Sequence, residues 1–100
     1  MKLDGKASGG VAIHYFGTLR HAAGVARETV AIDGTITLSK VIRTLAEQHG
    51  EPLRSSLLDK DGAIRDWLLI SVDDEEIDKS GSSPLIAGSE IGIFSPISGG

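Results

Sequence analysis

Residues 88–100 read GSEIGIFSPISGG, and the rest of the chain is organised around this stretch. Ile91 and Ile93 alternate with Glu90 and Gly92, the period of a half-buried strand. Pro96 has no backbone N–H, so the sheet ladder is expected to stop there, and Ser95 before it is biased to extended geometry. Ile97, Ser98, Gly99 and Gly100 follow, and residues 96–100 are expected to form a flexible C-terminal tail. Without Cβ atoms, Gly99 and Gly100 can pass through a narrow channel and adopt backbone conformations closed to other residues. Phe94 is one residue out of phase with Ile91 and Ile93, so it is expected to face away from their core.

Working outward, residues 37–49 hold the clearest helix. Leu38, Val41, Ile42, Leu45 and Ala46 fall on one stripe, Thr37 suits the N-cap, and Ile36 can staple onto Val41. Burying Val41, Ile42 and Leu45 is worth ~1.5–3 kcal/mol each, so the stripe is read as core. Upstream, Val11 to Gly17 alternates as a first strand, and Thr18 to Gly24 predicts one or two helical turns. Arg27 to Asp33 alternates again, with Val30 and Ile32 on one face. Downstream, Leu53 to Leu58 predicts a short helical turn, and Trp67 to Val72 a third strand with Leu68, Ile70 and Val72 inward. Asp73-Asp74 suits a tight turn into a brief strand over Glu75 to Asp78; Lys79 to Ser83 reads as loop, and Pro84 to Ile86 as a last turn before the final strand.

One hundred residues predict one domain, with 1–10 a flexible, glycine-rich N-terminal tail and 11–95 the folded body. The start MKLDGKASGG has no apolar signal region, and the longest apolar run, Trp67 to Ile70, is far short of a membrane span. The chain has no cysteine, which excludes a disulfide framework and a thiol nucleophile and fits a cytoplasmic protein. A net charge of -4 argues against nucleic acid as a partner. His14, His21 and His49 lack the paired spacing of a metal site. Asp73 to Glu76 reads as a solvated turn, since adjacent residues on a strand face opposite ways. No phosphate-binding or nucleophile-elbow motif occurs, so the chain is expected to have no active site of its own.

The ending Glu90-Ile91-Gly92-Ile93-Phe94-Ser95-Pro96-Ile97-Ser98-Gly99-Gly100 resembles that of the ubiquitin-like sulfur carriers, the MoaD and ThiS superfamily, and lies nearest the MoaD pattern. Ser95 stands where that pattern has a further proline, and Val72-Asp73-Asp74 where it usually has Val-Asn-Gly. The run from Phe16 through Leu19-Arg20 to Gly24 is also similar, so the resemblance covers roughly residues 11–100. It implies an α+β fold of the β-grasp type, a mixed sheet packed on one main helix.

The resemblance further implies that the carboxylate of Gly100 is the chemistry, with Gly99 its slender approach. An adenylyltransferase related to the ubiquitin-activating enzymes would spend ATP to form a transient acyl-adenylate. Sulfur would then replace AMP to leave a C-terminal thiocarboxylate, with no permanently bound cofactor. The accepting partner would be the large subunit of molybdopterin synthase or another sulfur-accepting enzyme, with neither nucleic acid nor membrane involved. Phe94, Phe16, Arg20, Pro96 and Ile97 are the expected partner-binding residues. A carrier for another pathway (cysteine, thiamine or another thiolated metabolite) and a protein modifier joined through Gly100 remain open.

Overall fold

The first and last strands, each alternating apolar and polar residues, lie as parallel neighbours at the centre of a sheet. The computed structural model describes residues 9–77 and 84–96. The elements run β1 (Gly10–Phe16), α1 (Thr18–Ala23), β2 (Arg27–Ala31), β3 (Thr35–Thr37), α2 (Leu38–His49) and α3 (Leu53–Leu57). They continue with β4 (Leu69–Val72), β5 (Glu75–Glu76), β6 (Pro84–Ile86) and β7 (Glu90–Phe94). The main sheet has the order β2-β1-β7-β4-β5. Only its β1–β7 pair is parallel, with Ile13 opposite Ile91, Tyr15 opposite Ile93 and Phe16 opposite Phe94. This is the β-grasp arrangement.

One face of the sheet is the core. Val11, Ile13, Tyr15, Ile70, Ile91 and Ile93 are buried there, and the stripe Leu38, Val41, Ile42, Leu45 and Ala46 of α2 is buried too. Thr37 caps α2, its hydroxyl oxygen accepting from the Lys40 N–H at 3.2 Å. Leu53, Leu57 and Leu58 extend the same core under α3.

The last turn of α2 is tied to the β1–β2 hairpin by a polar contact at the edge of this core. The Tyr15 hydroxyl donates to Glu28 Oε2 at 2.5 Å, and His49 Nε2 lies 2.5 Å from the same oxygen. The Tyr15 and His49 rings meet edge to face, 6.2 Å apart. Burial, and then the hydrogen bond and charge of Glu28, push the Tyr15 phenol far above its usual range.

Three readings of the sequence change. Strand β1 begins at Gly10, not 11, and Gly9 before it is held by its carbonyl, which accepts from the Ile32 N–H at 2.8 Å. The turn expected over Pro84 to Ile86 is a strand, paired antiparallel with Thr35–Thr37 in a separate two-stranded sheet. Three residues are too few to display alternation, so neither strand shows in the pattern. Trp67 and Leu68 precede β4 rather than belong to it, although Leu68 is buried as expected. The expectations for residues 1–8, for the loop over 79–83 and for the tail at 97–100 fall outside the described residues.

The Asp73-Asp74 turn has φ of 52° and 72°, the doubly left-handed form that matches strand twist in a two-residue hairpin. Asp73 earns its place by bonding: its N–H donates to the Glu90 carbonyl at 2.8 Å, and its Oδ1 accepts from the Glu90 N–H at 2.9 Å. Asp74 has only the strain. Asp74→Gly should therefore raise stability by about 1 kcal/mol in urea melts, and no change or a loss would contradict this account of the turn.

The phenol supplies a second expectation. Its folded-state pKa is raised, so the stabilisation is complete below the unfolded value of about 10 and lost as pH rises above it. Tyr15 is the single tyrosine, so tyrosinate absorbance reports it alone. That absorbance should rise only as the protein unfolds, not as a native-state titration near pH ~10.

Candidate functional site

The opposite face of the sheet is built by the residues out of phase with the core. In β1 these include His14 and Phe16, in β7 Glu90, Gly92 and Phe94, and in β4 Leu69 and Ser71. The register sets Phe94 beside Phe16 on one flank and beside Leu69 on the other. These three are 41%, 50% and 40% exposed, a contiguous apolar patch rather than scattered side chains. Phe94 also lies against Gly17, where an added Cβ would sit 3.7 Å from its Cε1.

Gly92 occupies the middle of this face, and two shallow hollows flank it. One, of about 160 Å³, is walled by Leu69, Phe94 and Glu76. The other, of about 140 Å³, is walled by His14, Phe16, Asp74 and Glu90, with Ser71 and Gly92 reaching both. His14 Nε2 lies 3.3 Å from Glu90 Oε1, close enough for an ion pair but without hydrogen-bonding angles, and this nitrogen is buried.

The expected partner-binding residues divide accordingly. Phe16 and Phe94 meet side by side on the outer face. Pro96 is exposed and follows the strand without joining it, as the missing N–H requires. Arg20 is exposed on α1, which starts two residues after Phe16 and thus at the sheet end where β7 also finishes. Ile97, Gly99 and Gly100 lie outside the described residues. Sequence reasoning missed Leu69. Its signal was present: the unbroken run Trp67 to Ile70 puts an apolar residue on each face of one strand, and one of them must point outward. No group of three metal-ligating side chains occurs among the described residues.

The chain beyond β7 thus leaves the sheet next to an exposed apolar patch. The sequence model of the ThiS family matches residues 13–100. This chain belongs to the ThiS family. It is therefore one of the ubiquitin-like sulfur carriers and modifiers, a group of small proteins sharing this fold.

Among solved structures this ThiS-family chain is similar to SAMP1 from Haloferax volcanii, with 27% identity, a TM-score of 0.80, and 92% of this chain and 100% of the other covered. It is similar in fold to a candidate molybdopterin converting factor, subunit 1, from Pyrococcus furiosus, at 21% identity, TM-score 0.69 and coverage of 90% and 100%. A chain of the Amycolatopsis orientalis BexX/CysO complex has the same fold, at 21% identity, TM-score 0.66 and coverage of 90% and 99%. No curated protein matches the sequence.

The outward position of Phe94 makes stability and binding separable. Phe94→Ala should lower stability by no more than ~1 kcal/mol, against ~3–5 kcal/mol for a core phenylalanine. Affinity for any partner that seats on this patch should fall by ~2 kcal/mol or more. A large drop in melting temperature would place Phe94 with the core instead.

Proposed function

We propose that this protein is a cytoplasmic sulfur carrier whose Gly100 carboxylate is adenylated and then converted to a thiocarboxylate, and that it donates this sulfur as the MoaD-like small subunit of a molybdopterin synthase. The supporting observation is the exit of β7, at Phe94, through Pro96 beside the Phe16–Phe94–Leu69 patch, in a chain whose family match runs through residue 100. A partner seated on that patch would lie beside the point where the chain leaves β7.

The chemistry follows from the weakness of a carboxylate as an electrophile. Attack by one Gly100 oxygen on the α-phosphorus of ATP expels pyrophosphate and gives the acyl-adenylate. Hydrosulfide then adds at the acyl carbon and AMP leaves with the carbon–oxygen bond, so one oxygen of Gly100 is replaced by sulfur. The activating enzyme supplies the nucleotide site and the catalysis; this chain supplies the acyl group and the surface that presents it. With no cysteine in the sequence, no internal thiol competes for the activated carbon.

The MoaD reading is favoured by Phe94, Pro96 and Ser98-Gly99-Gly100. A second reading is a modifier joined to other proteins through Gly100; the 27% identity to SAMP1 is compatible with it and selects neither reading. A carrier for another pathway, one that makes cysteine, thiamine or another thiolated metabolite, is a third route that uses the same loaded terminus.

Incubation with the activating enzyme, ATP and a sulfur donor should add to the intact mass the difference between a sulfur and an oxygen atom. Deletion of Gly100, or one extra residue after it, should abolish that gain while leaving the fold unchanged. A thiocarboxylate formed on the extended chain without trimming would sink the terminal-carrier mechanism. Conjugates of higher mass in cells, lost with Gly100, would select the modifier reading.

A further inference from the structure

The polar hollow beside Gly92 plays no part in the sulfur chemistry. It exists because residue 92 has no side chain: a Cβ there would lie 2.7 Å from Ser71 Oγ and 3.2 Å from Phe16 Cε2. The resulting space of about 140 Å³ is shallow and open to solvent. Two exposed residues at its rim, Asp74 and Glu90, are carboxylates, and no lysine or arginine lines it. Phe16, half exposed, forms an aromatic wall. His14 Nε2 is buried beside Glu90 with no hydrogen-bond partner.

These groups discriminate among occupants. An anion would face two carboxylates, and a purely apolar group would strip water from them without compensation. A metal ion lacks its ligands, since no group of three suitable side chains occurs among the described residues. A planar cation meets none of these objections. It can lie on the Phe16 ring and reach the Asp74 and Glu90 carboxylates with separate N–H donors. A compact ammonium has the charge without the flat face.

We propose that this hollow receives a basic side chain, arginine in preference to lysine, from the partner that docks on the outer face of the sheet. The proposal rests on the reading of that face as the carrier's docking surface. It gives the patch a polarity: an apolar residue of the partner seats by Leu69 and Phe94, and its cationic neighbour enters on the other side of Gly92.

The test is an amide NMR titration of the full chain with the peptide acetyl-Leu-Arg-Leu-amide. The control is the same peptide with norleucine in place of arginine. The arginine peptide should shift the amides of Ser71, Asp74, Glu90 and Gly92 saturably, and the norleucine peptide should not shift Asp74 or Glu90. The double variant Asp74→Asn, Glu90→Gln should weaken the arginine peptide about tenfold, the scale of a lost interfacial charge contact. Asparagine tolerates the left-handed backbone at position 74 and glutamine keeps the strand, so both variants retain the fold. Equal binding of the two peptides, an unweakened double variant, or no shift at these four amides up to the solubility limit would overturn the proposal. Sulfur loading of Gly100 is measured separately by mass, so failure here leaves the carrier reading standing.

Discussion

The parallel pairing of β1 with β7 is the constraint on which the rest of this molecule depends. It aligns Ile13 with Ile91 and Tyr15 with Ile93 on the face that meets α2, and Phe16 with Phe94 on the face that does not. Side chains alternate strictly along a strand, so the same register that closes the core also assembles the apolar patch. A slip of one residue would turn Ile91 and Ile93 to solvent and bury Glu90 and Phe94. Core and apolar patch are therefore specified by one set of hydrogen bonds, and neither can be altered in register without the other.

The polar features are arranged around that pairing at its two sides. On the inner side, Glu28 holds both Tyr15 and His49 and so fixes the last turn of α2 over the hairpin. On the outer side, Asp73 bonds the Glu90 backbone in both directions and joins the β4–β5 turn to the first residue of β7. Gly92 sits between these fixed points. Its missing side chain leaves Phe16 and Ser71 room on either side of the β7 backbone.

Much of this was legible in the residues. The stripe from Leu38 to Ala46 and the alternation of Val11, Ile13, Tyr15, Ile91 and Ile93 give the helix and the two central strands, because each is long enough to show its period. The opposite orientation of Phe94 follows from the same alternation. Thr35–Thr37 and Pro84–Ile86 were hidden because their pairing is a tertiary contact between two three-residue segments far apart in the chain. The β-grasp arrangement came from the family resemblance, since no local pattern encodes that β1 and β7 are neighbours. The hollow beside Gly92 was out of reach for the same reason: its walls come from three strands and a turn, and it is defined by an absent side chain.

The β1–β7 pair also has a consequence for timing. The two strands at the middle of the sheet lie near opposite ends of the sequence, so the contacts between them close a loop of most of the chain. Such non-local pairings are slow to form and are rewarded only once the loop has closed. Until Glu90 to Phe94 pair with it, β1 has a partner in β2 on one side only. Completion of the sheet therefore depends on the last strand to be made. A chain truncated before β7 loses its central strand, and with it the buried Ile91 and Ile93.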